Sequence, residues 1–398
     1  MEPAVHLRAE SDVALANELL ADASVKRAIE RFEKDTRESE TRRHLLSTSV
    51  RLGPGLVPHV QDTIRVCRER LGLDAEVEVY VYPSPHLNAA CVRPEDDRVL
   101  LMFSSQLVNV FDGAELAFVA GHELGHHMFD HHAIPVGALM KPPYAVGPRI
   151  AMRLFAWSRY AEVSADRAGM FCAEDLDAVA RGLFKLASGL HDGAADVVME
   201  TLLSQVEALE DFGSVTADGQ VRADWFSTHP FSPLRLKTAK LFAASELMIE
   251  GGASRASLES AVNTVMAIME PGYLKEDSEQ AALMRRVLLA GALVVADATG
   301  EISDEEIEAI EGLLGEGKVS RRLSVEALRE DLPKRIIAVN EVAPPSRRAQ
   351  LLRDLCLIAR ADEHADDAEC AVLHDIARQL GLPAELVDQA VAGSVELD

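Results

Sequence analysis

The sequence predicts an α+β chain, mainly α, on three observations. Clean period-two alternation at Glu76–Tyr82 and two further short strands by 103 predict a small mixed sheet. Apolar residues at helical spacing fill most of the remaining chain. A Gly251-Gly252 pair then separates the sheet-bearing part from a wholly helical part. The expected organisation is a helical extension over 1–46, a sheet-and-helix domain over 47–252 and an all-helical domain over 253–398.

At 398 residues the chain is long enough for two or three cored domains. Its 48% hydrophobic and 26% charged content is that of a globular protein. A formal net charge of −25 argues against nucleic acid and anionic membrane as partners, because both would repel it, whereas a cationic or flexible peptide is tolerated. The first thirty residues carry acids throughout and lack the apolar core of a signal peptide. The longest apolar runs, Val287–Ala296 and Leu116–Ala120, fall short of the roughly 20 residues a bilayer span needs, so no integral membrane span is expected. Cysteines at 67, 91, 172, 356 and 370 are scattered and odd in number, which fits a reducing cytoplasm.

Residues Asp12 through Arg43 read as helix, with Leu15, Leu19, Leu20, Val25 and Ile29 for an apolar face. Such a segment either packs on the body or forms a partner-binding arm. Gly53-Pro54-Gly55 breaks the chain, and a helix follows to about Leu71, stopped by Gly72. Glu76–Tyr82 alternates cleanly as a half-buried strand. Leu87–Val92 and Arg98–Phe103 give two more short strands. An exposed edge of that sheet could take an extended peptide by strand addition.

The next helix carries the chemistry. Asp112 is its expected N-cap, with Glu115 completing a capping box. It contains His122-Glu123-Leu124-Gly125-His126, whose histidines, four apart, project from one helix face and can grip one metal ion. Glu123 stands beside the first of them, where a carboxylate can take a proton from an attacking water. Gly121 and Gly125 each cost about 1 kcal/mol of helix propensity, and a close backbone neighbour, the Glu162 helix, is the expected compensation. Asp130-His131-His132 reads as a histidine-rich helix end near solvent, and Ile134–Gly147 as a loop.

Pro148 suits the first turn of a second helix, on which Glu162 and Asp166 share a face. Two histidines and Glu162 make the three-ligand set of catalytic zinc, one Zn2+ per chain. Asp166, a lone acid in an apolar stretch, can accept the spare ring N–H of a ligand histidine. Helices run on to about Asp211. His229, held ahead of Pro230 in a short rigid segment, is suited to reach into a site. A helix from about Leu234 to Glu250 closes this domain. Beyond it, Leu288–Ala298 and Leu355–Ala361 each end in an Ala-Asp turn followed by acids that open the next helix, a degenerate duplication. Gly300 stands at the wrong loop position for an EF-hand, and the acids serve equally well as helix caps.

Taken in order, Leu87-Asn88-Ala89, His122-Glu123-Leu124-Gly125-His126, Glu162 with Asp166, and His229-Pro230 with Arg235 resemble the M48 family of zinc metallopeptidases, the gluzincin group that includes the HtpX and Ste24 enzymes. That resemblance covers residues of about 50–250. It implies Zn2+ on His122, His126 and Glu162, Glu123 as general base and acid, and Asp166 behind the ligands. It further implies Asn88 and Ala89 as the substrate-binding edge, with His229 touching substrate or the oxyanion and Arg235 as a second candidate for that charge. The C-terminal part is similar to the tellurite-resistance TerB domain through Asp297, Gly300, Ser303 and Glu306. The function expected is a zinc metalloendopeptidase acting on protein or peptide substrates, with the TerB-like part as a regulatory or partner-binding domain. The alternatives are a stress-linked metal- or partner-binding protein with a latent site, and an enzyme shut by its own N-terminal segment or the 134–147 loop.

Overall fold

The computed structural model describes residues 4–36, 41–95, 98–141, 143–146, 148–191, 195–212, 230–267, 269, 272–274, 278–300, 302–314, 324–359 and 365–392. They fall into two compact units: Met1–Tyr144, Ala156–Val206 and His229–Met266 in one, and Ala145–Phe155, Glu207–Thr228 and Ala267–Asp398 in the other.

In the first unit the N-terminal segment is three helices, α1 (Glu10–Ala21), α2 (Ala23–Thr36) and α3 (Thr41–Thr48). The continuous helix expected from sequence breaks at Asp22, which is extended at φ −67° and ψ 130°. Its carboxylate accepts from Ser24 N–H at 2.8 Å and from Val25 N–H at 3.3 Å, capping α2. This segment packs: Ala4, Leu7 and Ala9 lie in the same core as residues 116–120 and 124 of the helix that carries His122 and His126.

Strand β1 (Val50–Arg51) was not visible in the sequence, being only two residues long. After α4 (Pro58–Leu71), Gly72 takes the left-handed conformation at φ 67° and stops the helix. Strands β2 (Glu76–Tyr82), β3 (Ala89–Glu95) and β4 (Arg98–Ser104) complete a four-stranded mixed sheet of order β1-β2-β4-β3. β2 runs parallel to β4, with Val77 opposite Val99, and β3 runs antiparallel to it, with Cys91 opposite Leu101. β3 starts two residues later than expected, because the Asn88 amide bonds the Ser104 hydroxyl, 3.1 Å, rather than a strand carbonyl. Among the described residues β3 is an edge.

Ser104 also caps α5 (Ser105–Val110). Helix α6 (Gly113–Met128) opens on the capping box of Asp112 and Glu115. Glu115 is buried, and Lys185 at 2.6 Å and Arg181 at 2.9 Å neutralise it. Then come α7 (Val136–Leu139), α8 (Pro148–Ala173), α9 (Leu176–Ser188), α10 (Ala195–Phe212), α11 (Ser232–Ala243) and α12 (Arg255–Met266). The close approach of α6 and α8 depends on glycine. A Cβ at Gly121 would lie 2.6 Å from Cys172 Cβ, one at Gly125 2.8 Å from Ala168 Cβ, and one at Gly169 2.5 Å from the Phe118 carbonyl oxygen.

Helix α11 ends at Ala243, short of the expected Glu250. The backbone turns back there: Glu246 N–H donates to Ala253 O at 2.8 Å and Ala253 N–H to Ala244 O at 3.0 Å. Gly251-Gly252, read from sequence as a linker, is this tight turn, with Gly251 at φ 77°. Leu258, Val262 and Met266 of α12 then join the first unit's core. Glu259 meets the buried Arg167 through bonds of 2.7 and 3.2 Å.

The second unit carries α13 (Glu279–Ala296), α14 (Asp304–Leu314), α15 (Val325–Val342), α16 (Pro345–Ala359), α17 (Asp367–Gln379) and α18 (Glu385–Ala392). α13 packs against α14, α15, α16 and α17. Of the acids that mark the duplication, Glu306, Asp366 and Glu369 act as caps, while Asp297 pairs with Arg329 at 3.1 Å. Glu306 accepts from Ser303 N–H at 2.7 Å, and Asp366 with Glu369 forms a capping box. Asp362, Glu363 and His364 of the second copy lie outside the described residues. No helix among the described residues is long and apolar enough to cross a membrane.

Two expected outcomes follow from this packing. Gly169→Ala, which must push α8 off a carbonyl oxygen, lowers unfolding stability by about 1–3 kcal/mol, read from the denaturant midpoint. Glu78 on β2 accepts two bonds of 2.9 Å from Arg42 and one of 2.6 Å from Tyr80 OH. The Arg42 bond leads in holding its carboxyl down, against burial, from 4.5 to about 2. A depressed folded-state value stabilises above the unfolded one, so this contribution is present above about pH 4.5 and fades as the pH falls toward about 2. Glu78→Gln lacks that dependence, and the gap in stability between the two proteins closes over that window.

Candidate metal centre

α6 presents His122 and His126 one turn apart, and α8 crosses close enough to place Glu162 against both. His122 Nε2 lies 3.4 Å from Glu162 Oε2, and His126 Nε2 3.2 Å from Glu162 Oε1. The two Nε2 atoms are 3.1 Å apart. All three ligand atoms lie within 4.8 Å of one another. The Glu162 carboxylate outweighs the effect of burial on His126 and raises its pKa, so a proton and a metal ion would compete for one lone pair there.

Asp166, one turn along α8, fixes His122. Its Oδ1 is 2.9 Å from His122 Nδ1. Burial alone would push the Asp166 pKa up, but the Arg235 guanidinium and the His122 bond hold it below the usual carboxylate value. An ionised carboxylate can only accept, so His122 carries its proton on Nδ1 and turns a bare Nε2 toward Glu162. Two acceptors facing each other at 3.4 Å fit a cation between them, and imidazole nitrogen with carboxylate oxygen is a donor set that suits zinc.

Arg235, delivered by α11, donates from Nε to Asp166 Oδ2 at 2.9 Å and from Nη2 to Oδ1 at 2.6 Å. Sequence reading offered it as a candidate for the oxyanion. The geometry instead spends its fork on Asp166, with Nη2 still 3.8 Å from Glu162 Oε2.

Glu123 points to the sheet. Its Oε2 accepts the backbone N–H of Cys91 at 2.7 Å, which ties the carboxylate to edge strand β3. Burial and the Glu123 charge push the Cys91 thiol well above its usual range, so it stays protonated. Ala89 is two residues before Cys91 on the same strand, while Asn88 precedes the strand. His229 lies outside the described residues.

Sequence reading placed His131 near solvent, and the structure corrects this. His131 is 6% exposed, with Nδ1 2.8 Å from His126 Nδ1 and Nε2 3.0 Å from Asp12 Oδ2. Burial pulls its pKa down to about 4. Asp12 was passed over as part of a charged helix. Its spacing held a signal: Asp12, Ala16 and Leu19 share the buried stripe of α1, and an acid in such a stripe needs partners.

A pair of imidazoles and an acid on crossed helices, with a further carboxylate beside them, is an arrangement a metallopeptidase needs, and comparison with known proteins supports that class. Residues 56–146 and 146–242 match the profile of Peptidase family M48, and residues 285–392 that of Tellurite resistance protein TerB. The two matches fall on different parts of the chain, the first within 56–242 and the second within 285–392. The chain is also 26% identical over 231 residues to the "Plastoglobule-localized metallopeptidase 48, chloroplastic" of Arabidopsis thaliana, an alignment covering 55% of this chain and 67% of that one. No solved structure matches at comparable stringency.

Asp166→Ala, which frees His122 Nδ1, is expected to weaken metal affinity by about 10–100-fold, measured by chelator competition.

Proposed function

We propose that the chain is a zinc-dependent metalloendopeptidase that cleaves flexible protein or peptide substrates with Glu123 as the proton carrier. The observation that carries this is the convergence of His122, His126 and Glu162, with Glu123 held at the neighbouring sheet edge. One zinc ion on those three residues would polarise the scissile carbonyl and acidify a water.

The chain's own residues then supply position and protons. A substrate strand laid along β3 would meet the backbone at Asn88 and Ala89 through main-chain hydrogen bonds, which ask nothing of side-chain identity. Glu123 takes a proton on its carboxylate from the attacking water and returns it to the leaving amine. Asp166 keeps His122 Nε2 bare, and Arg235 keeps Asp166 ionised and aimed. His229 is assigned to the oxyanion on the resemblance alone, since it precedes the helix that delivers Arg235. The TerB-like domain is assigned a regulatory or partner-binding role. The five cysteines are free of disulfides, which supports the cytoplasm as the working compartment.

Glu123→Gln keeps the shape of the site and removes the base. The expected result is loss of cleavage of an unstructured protein by at least about 100-fold, with one zinc per chain retained by elemental analysis. Undiminished cleavage by this variant would remove the mechanism.

A further inference from the structure

We propose that Asp12 and His131 are positioning residues that lock the tautomer of His126, making the N-terminal segment a working part of the metal centre. This inference rests on the metal-centre reading above and extends it to residues that neither motif contains.

Asp12 is fully buried on α1. It accepts from Arg8 Nε at 2.8 Å and Nη2 at 3.0 Å, from Trp157 Nε1 at 2.9 Å and from Ser164 Oγ at 2.7 Å. A carboxylate so surrounded by donors is itself an acceptor only. The ring nitrogen facing it, His131 Nε2 at 3.0 Å, therefore carries a hydrogen. Its other ring nitrogen, Nδ1, is the acceptor of a neutral imidazole. That nitrogen stands 2.8 Å from His126 Nδ1 and accepts a hydrogen from it. His126 must hold its proton on Nδ1, which leaves Nε2 bare on the side of Glu162.

The sequence Asp12–His131–His126 thus does through one extra imidazole what Asp166 does directly for His122. Both ligand histidines receive the same tautomer, one from α8 and one from α1. Further bonds tie this segment to the helix that bears Glu162: Ala9 N–H donates to Ser164 Oγ at 3.0 Å, and Arg167 Nη1 to Leu7 O at 3.4 Å. A segment that only blocked a cleft would have no reason to reach behind a ligand. Here it reaches the nitrogen remote from the metal side.

The test uses full-length protein and Zn2+ in competition with a chromophoric chelator. His131→Phe removes the acceptor for His126 and is expected to weaken zinc binding by about 10–100-fold. His131→Gln can accept from His126 Nδ1–H through its oxygen while donating to Asp12, and is expected to recover most of that loss. Unchanged affinity in His131→Phe, or no recovery in His131→Gln, overturns the proposal. A second measurement needs no variant to fold: histidine 15N resonances of the zinc-loaded wild type should show His131 neutral, protonated on Nε2 and bare on Nδ1. A proton on His131 Nδ1 overturns the relay even if zinc binds tightly. Failure of the wild type to bind zinc at all is a different result, which removes the metal-centre reading itself and the relay with it.

Discussion

Everything at the candidate centre depends on how closely α6 and α8 can approach. His122 and His126 cannot reach Glu162 unless the two backbones nearly touch, and they do so where Gly121, Gly125 and Gly169 leave no Cβ in the way. Each glycine in α6 costs helix propensity of about 1 kcal/mol against alanine, and the capping box at Asp112 together with the buried Glu115 pairing offsets part of that at the start of the helix. Local helix stability is given up for a crossing that puts two imidazoles and a carboxylate within bonding distance of one point. Chemistry and packing impose the same requirement on the same three turns.

Around this crossing the structure arranges charge in pairs. Asp166 is buried against Arg235 and meets His122, and Asp12 is buried, paired with Arg8, and meets His131, which in turn meets His126. A buried carboxylate alone would be costly, and a carboxylate paired with arginine stays ionised and keeps accepting. Glu123 has a different setting: among the described residues its carboxylate is held by the backbone N–H of Cys91 on edge strand β3. On the proposed mechanism, a base that gains and loses a proton is better served by that hold than by a bidentate fork. The same tie sets it against the edge along which a substrate strand would lie.

Much of this was legible in the sequence because short-range spacing carried it. Four-residue steps put His122 with His126 and Glu162 with Asp166 on shared faces, and the Asp112-Glu115 box announced where α6 begins. The alternation of Glu76–Tyr82 gave β2 with its bounds. What could not be read depended on contacts across long separations. Nothing local says that His131 meets Asp12, 119 residues away, or that Arg235 meets Asp166 across 69. The helix predicted across Asp22 failed because a side-chain cap competes with helix continuation. The return of the chain at Gly252 was missed because a glycine pair reads equally as a linker or a tight turn. In the C-terminal unit Glu306, Asp366 and Glu369 proved to be caps, one of the two readings their placement allowed, while Asp297 pairs with Arg329.

The central claim of the proposed function is that His122, His126 and Glu162 jointly hold one metal ion through two ring nitrogens and a carboxylate oxygen. Anomalous diffraction at the zinc edge, from crystals of the full chain grown with zinc, tests it most directly. The account predicts a single strong peak about 2.0–2.2 Å from His122 Nε2, His126 Nε2 and a Glu162 oxygen. A peak elsewhere, with Glu162 turned away from both rings, would contradict it.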